Sequence, residues 1–188
     1  MPGLHRDITN SVVNTAICSQ PDLNAFMSES DTFNLNRFVQ AQETSYSKAI
    51  AELRAGKKQS HWSWFVLPQI GGLGTSPMSI RYSISSLDEA KEYLMHSVLG
   101  PRLIETVTAL LSHSGQGADQ ILGNIDAKKL HSCMTLFSLA APDNNLFQQA
   151  LNKYFNGIKD SSTLTILSAF KNESEASIHP TKLSAPPY

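Results

Sequence analysis

Apolar residues recur at three- and four-residue spacing in one segment after another of this chain, and nowhere do they alternate with polar residues over a stretch bounded by hairpin turns. The first pattern is what a helix with one buried face requires, and the second would mark a half-buried strand. The sequence therefore predicts an all-α, mainly helical domain of seven or eight mostly short helices, with at most minor β structure.

Leu35, Phe38, Gln42, Ser45, Ala49 and Leu53, joined by Tyr46 and Ile50, predict a helix with one apolar face. Gly56 and Lys57-Lys58 end it, the glycine supplying a left-handed residue and the lysines opposing the negative end of the helix dipole. Ile70 to Thr75, with glycine at 71, 72 and 74, is a loop. Ser76-Pro77 then caps and opens a short helix over Met78, Ile80, Arg81 and Tyr82. Ser86 followed by Glu89 reads as a capping box for a helix that turns Ala90, Tyr93 and Leu94 inward and ends near His96. Gly100-Pro101 opens the next, whose apolar face is Leu103, Ile104, Val107, Leu110 and Leu111. A turn at Asp119 to Gly123 follows, then helices over Asp126 to Ala140 and Asp143 to Phe155 separated by Pro142. A short last helix over Leu164, Ile166 and Leu167 is capped by Ser162. Trp62 to Leu67 is an apolar run too short for periodicity to assign.

With 188 residues the chain has room for one well-buried domain and tails. Residues 1–30, rich in Ser, Asn, Thr and Asp without periodicity, read as a flexible leader, residues 31–170 as the globular domain, and residues 171–188 as a tail. Fifteen basic residues nearly cancel sixteen acidic ones, so no global field favours a nucleic acid polymer or an anionic membrane. No signal peptide or spanning segment is evident, and a soluble cytoplasmic protein is expected. Cys18 and Cys133 lie in unlike contexts, which disfavours a disulfide framework or structural zinc, and the six histidines form no helical metal pair. No metal or other cofactor is expected, and the oligomeric state is left open.

Both tryptophans fall in Ser60-His61-Trp62-Ser63-Trp64-Phe65-Val66-Leu67-Pro68-Gln69, directly before the glycine loop. They are either core fillers or the wall of a cleft that stacks and orients a planar polar ligand. Arg81-Tyr82 offers a guanidinium suited to phosphate or carboxylate, or else a surface ion pair. In Lys128 to Phe137, helical spacing puts Lys128, Ser132 and Thr135 on one side, with Lys129 adjacent; an ordinary amphipathic helix would show the same. Cys133, inside an apolar helix, reads as packing rather than as a nucleophile.

These segments carry a resemblance. Phe38-Val39-Gln40-Ala41-Gln42, Ala51 through Lys58, Ser60 through Phe65, Pro68-Gln69, Arg81 through Ile84, Leu99 through Leu103, Lys129 through Phe137 and Phe147 through Phe155 resemble the uncharacterised family catalogued as domain of unknown function 1810. Some of its members carry the label calpastatin. The resemblance spans Asp31 to about Leu167 and implies a mainly helical fold, with no activity to carry over. The chain departs from the family pattern in its long leader and in Ser63, where a bulkier apolar residue is common. Phe38 to Gln42 is also similar to a helix motif of a family associated with NAD and ADP-ribose processing, which cleaves N-glycosidic bonds.

That analogy suggests a chemistry: Trp62, Trp64 and Tyr82 around a planar group, Gln69 and Ser132 orienting it, Arg81 or Lys129 on a phosphate, and His61 as acid-base group. Glu43 and Asp126 are the candidate carboxylates. The expectation is a small-molecule pocket for a nucleotide-like or other planar polar metabolite, with hydrolysis of an N-glycosidic or related bond as its candidate reaction, in which His61, Trp64, Gln69, Arg81 and Lys129 converge. A non-catalytic sensor or protein-interaction module is the alternative.

Overall fold

A computed structural model describes the backbone of residues 31–178 and the side chains of residues 31–170. The predicted leader, and the tail beyond 178, lie outside the described residues. Among the described residues ten helices follow one another: α1 (Asn36–Glu43), α2 (Tyr46–Arg54), α3 (Ser63–Val66), α4 (Pro77–Arg81), α5 (Leu87–Met95), α6 (Leu99–Leu111), α7 (Ala118–Leu122), α8 (Asn124–Ala140), α9 (Asn145–Phe155) and α10 (Ser161–Ile178). The all-α expectation holds, with β structure reduced to one isolated parallel bridge between Ile70 and Ile84.

The count exceeds the predicted seven or eight for two local reasons. Thr44 and Ser45, both weak helix formers, interrupt the predicted first helix with a tight turn in which the Ser45 N–H bonds the Gln42 carbonyl at 3.2 Å. Trp62 to Leu67 proves to hold a single helical turn, α3. At the other end, α10 is not short: its backbone continues to Ile178, past the predicted boundary at 170. Its start is held by Asp160 rather than Ser162, because the Asp160 carboxylate accepts from the Thr163 N–H at 2.8 Å and its hydroxyl at 2.7 Å.

The Ser76 cap is formed, its hydroxyl accepting from the Ser79 N–H at 3.2 Å with Pro77 at the first helical position. Ser86 likewise accepts from the Glu89 N–H at 3.1 Å. The reciprocal half of the predicted box differs, because Glu89 reaches past Ser86 to the N–H and hydroxyl of Ser85 at 2.7 and 2.6 Å. It also takes the Arg37 guanidinium at 2.6 Å. In α6 the buried stripe is Leu99, Leu103, Thr106, Val107 and Leu110, and Ile104 is 41% exposed instead of inward. At Gly100 the backbones of α6 and α5 come close together: a Cβ there would stand 2.0 Å from the Leu94 carbonyl oxygen.

α8 is the central helix, packed against α3, α5, α7, α9 and α10. From Leu130 to Phe137 nearly every side chain is buried, as in a helix enclosed on all sides. A relay of rings crosses the core around it, Phe38 on Tyr93 at 5.2 Å, Tyr93 on Phe137 at 5.5 Å and Phe137 on Phe147 at 5.7 Å. The first two turns of α8, Asn124 to Lys129, emerge from this core into partly or fully exposed surroundings. There the polar chemistry collects.

Candidate functional site

Glu52 is the foundation of the site. It sits on α2 between Ile50 and Leu53, both facing the core, and is itself buried, so its charge has to be met by donors. It is met by four: the Gln59 N–H at 2.9 Å, the Ser60 N–H at 3.0 Å, the Ser60 hydroxyl at 2.7 Å and the Trp62 indole Nε1–H at 2.8 Å. Burial acts to raise the carboxyl pKa, but these hydrogen bonds outweigh it and bring it down from 4.5 to about 2. The loop from Gln59 to Trp62 is thereby wrapped onto α2, and α3 starts at a fixed place.

Ser63 and Trp64 follow on α3 and meet the emerging start of α8. The Ser63 hydroxyl donates to Asp126 Oδ1 at 2.7 Å and receives the Lys129 ammonium at 3.1 Å. Lys129 Nζ also bonds Asp126 Oδ1 at 2.7 Å and lies 4.0 Å from the centre of the Trp64 ring. On the other oxygen, Lys58 Nζ bonds Asp126 Oδ2 at 2.7 Å, while donating to the Ser60 carbonyl at 2.6 Å and lying 5.1 Å from the Trp62 ring. The carboxylate is thus held between two ammonium groups and one hydroxyl. The side chains of Lys58, Asp126 and Lys129 are only 8%, 13% and 12% exposed. Burial works against ionisation of Asp126, yet the bonds from Lys129, Lys58 and Ser63 prevail and hold its carboxyl below the usual carboxylate range.

Of the residues singled out from sequence, Trp64, Lys129 and Asp126 are therefore in direct contact. His61 lies one residue from Trp62 on the same loop, its side chain exposed and without a bonded partner among the described residues. Trp62 is corrected from ligand wall to core residue: it is 1% exposed and its ring nitrogen is taken by Glu52. Tyr82 is likewise core, packed between Phe38 at 5.9 Å and Phe65 at 5.4 Å. Ser132 is a packing residue at 1% exposed, its hydroxyl paired with that of Thr163 at 2.8 Å, while Thr135 accepts from the Asp160 N–H. Together they anchor the start of α10, and Lys128 turns to solvent on its own.

Arg81 sits elsewhere, on an open groove of about 420 Å³ lined by Phe33, Asn34, Arg37, Ser83 and Glu89 among others, which includes none of His61, Trp64 and Lys129. Gln69 is half-buried and contributes its backbone carbonyl to Ile84 N–H at 2.8 Å. Glu43 is exposed on α1. Cys133 is fully buried and burial pushes its thiol well up, so it is inert packing.

The motif Phe38 to Gln42 is consumed by the fold. Phe38 is buried in the ring relay, and the Gln42 amide donates to the Phe65 carbonyl at 2.7 Å and the Tyr93 hydroxyl at 3.1 Å. It positions α3 from beneath rather than facing a ligand. Two residues of the site, Lys58 and Ser63, escaped the sequence reading as functional groups. Lys58 read as a helix-end charge, and only its contact with Asp126 on a distant helix shows otherwise.

The fold and site define a small all-α domain whose one-turn helix α3 presents a Trp-Ser pair to a Lys-Asp-Lys cluster at the mouth of its central helix. By its sequence the chain belongs to the family described as Protein of unknown function (DUF1810), whose model matches residues 32–167. Among solved structures it is similar to the conserved hypothetical protein Rv1873 from Mycobacterium tuberculosis, at 47% identity and a TM-score of 0.72, over 73% of this chain and 99% of that one. No curated protein matches it. Among the described residues, no helix is long and apolar enough to cross a membrane.

Proposed function

We propose that this chain is a cytoplasmic metabolite-binding protein that takes a planar polar ligand with an anionic substituent, of the nucleotide type, at the Trp64–Lys129–Asp126–Lys58 cluster. One observation carries the reading: a half-buried tryptophan with a lysine ammonium 4.0 Å from its ring centre, beside a second lysine held on the same carboxylate. The Trp64 ring with Lys129 over one face, and Lys58 sharing the same carboxylate, offers the other ring face for stacking and two cations for charge to one ligand. Glu52, the other acid nearby, is already saturated by its four donors, so it does not compete for the lysines.

Hydrolysis of an N-glycosidic or related bond is the second reading. Its support is that Asp126 is held ionised, as a carboxylate facing a developing positive charge at a sugar carbon has to be, with the exposed His61 as the acid-base group. Two ammonium groups on that carboxylate weigh against it, because they neutralise the negative charge the step needs. Binding is therefore placed ahead of catalysis.

The test is tryptophan fluorescence and thermal shift with ADP-ribose, NAD, nucleotides and nucleosides. Ligand at about a hundred times its dissociation constant stabilises by about 2.7 kcal/mol, an easily read shift. Trp64→Phe is expected to abolish the fluorescence response, and Trp62→Phe to preserve it in whatever fraction stays folded. Silence across the panel, or a response that follows Trp62, would refute the proposal. Release of free base from a bound nucleotide, lost in His61→Ala, would move the hydrolytic reading ahead.

A further inference from the structure

Asp126 accepts from three donors that come from three different elements: Lys58 from the loop after α2, Ser63 from α3 and Lys129 from α8. Two cations and a hydroxyl gathered around one carboxylate have the composition of a receptor for an oxyanion, with the protein's own side chain in place. The charges do not balance within this group, since two ammonium groups face a single monoanion. A phosphate monoester near its dianionic form would balance them and offers three oxygens to the three donors.

The place of Asp126 in the chain allows it to leave. It lies in the first turn of α8, and its predecessors Gly123, Asn124 and Ile125 are exposed, Ile125 by 76%. Gly123 has φ +82°, and a Cβ there would meet nothing within 4 Å, so the turn that leads into α8 is itself open. Exchange requires the Asp126 side chain, 13% exposed, to rotate outward and so uncover the three donors, and on α8 the buried core begins only at Leu130.

We propose that Asp126 is an internal stand-in for the phosphate group of the ligand, and that Lys58, Ser63 and Lys129 form a phosphate slot entered by exchange with the Asp126 carboxylate. The inference rests on the binding function proposed above and sharpens it to phosphate-bearing ligands rather than neutral nucleosides. Asp126 sets the selectivity. A monoanionic carboxylate ligand gains nothing by replacing another carboxylate, whereas a dianionic phosphate does.

Removing the stand-in should therefore tighten phosphate binding, the reverse of what is expected for a residue that contacts the ligand. The experiment compares wild type, Asp126→Asn and Asp126→Asn with Lys129→Met, probed with inorganic phosphate against chloride at matched ionic strength. Phosphate line broadening in 31P NMR gives the affinity, and thermal melting gives the stability. Asp126→Asn is expected to bind phosphate at least tenfold more tightly than wild type and to recover in phosphate the melting temperature it loses in chloride. The added Lys129→Met should remove both effects. Acetate, a monoanion of the carboxylate kind, should leave the wild type unchanged and restore Asp126→Asn less than phosphate does.

Equal phosphate affinity in wild type and Asp126→Asn, or equal melting of Asp126→Asn in phosphate and chloride, would overturn the exchange. If Asp126→Asn fails to fold in chloride, folding on addition of phosphate supports the slot and failure to fold in both salts refutes it. A wild type that responds to nucleotides while Asp126→Asn gains no phosphate affinity would leave the binding function standing and remove only this inference.

Discussion

Glu52 shows what a single buried charge does in this molecule. Four donors converge on it, and all four belong to the loop from Gln59 to Trp62 that leads into the site. Glu52→Gln keeps the shape but turns a charged acceptor into a neutral amide, so a loss of about 1.5–3 kcal/mol is expected, read as a lower urea midpoint at neutral pH. The pH dependence has a definite sign. Because the folded pKa is depressed to about 2 from 4.5, the stabilisation is present in full above pH 4.5 and is lost as the pH falls toward 2. The gap between wild type and Glu52→Gln should accordingly narrow on acidification through that window; a gap that stays constant or widens would show that the carboxylate charge is not what holds the loop. Phe38→Ala addresses the core instead. With its ring fully buried between Tyr82 and Tyr93, a loss of about 3–5 kcal/mol is expected by calorimetry or denaturant melt.

Arg37 ties elements together much as Glu52 ties a loop to its helix. From α1 it donates to the carbonyls of Phe33, Asn34, Arg81 and Ser83 and pairs with Glu89 at 2.6 Å, joining the ends of α1, α4 and α5. The pair is little exposed, 14% and 3%, so removing only the arginine leaves a buried carboxylate without its counter-charge, held by Ser85 alone, and should cost about 3 kcal/mol. Arg37→Met with Glu89→Gln together should cost clearly less than the sum of the single changes; strict additivity in a double-mutant cycle would deny the coupling. Most helices were legible in the sequence because their evidence is local: Ser76-Pro77 and Ser86 sit at the starts they predict, and three- and four-residue spacing marks their buried faces. The break between α1 and α2 was not legible, since Thr44-Ser45 is a weak signal inside a stripe that continues through Tyr46 and Ala49. The site was legible only in part. Trp62 and Trp64 look alike in an apolar run, and only the Glu52 carboxylate beneath one of them decides which is core. Lys58 and Ser63 gained their meaning from Asp126, which arrives from a helix far along the chain. Arg81 failed to join them because the chemistry of a residue type does not say which side of the domain its helix faces.

At the scale of the whole molecule the question is how much chain the fold needs. The family match covers residues 32–167, and 99% of the Mycobacterium tuberculosis neighbour aligns with 73% of this chain, so a protein of that shorter length forms the same architecture. Within the described residues, the ring relay, the Glu52 and Arg37 networks and the Lys-Asp-Lys cluster are all built from partners between Phe33 and Phe147. α10 adds a further buried anchor, Thr163, through Asp160, Ser132 and Thr135. A fragment of residues 31–178 keeps every one of these interactions. It is expected to unfold in a single cooperative transition with a midpoint within about 2–4 °C of the full chain, corresponding to a difference of no more than about 1 kcal/mol. Ending the fragment before Asp160 should do far worse, because the hydroxyls of Ser132 and Thr135 would then be left without partners inside α8. A fall well beyond that range for the 31–178 fragment, or a broad transition with no baseline, would show that residues 1–30 or 179–188 support the fold; and if the fragment still binds nucleotide as the full chain does, the site needs nothing from them either.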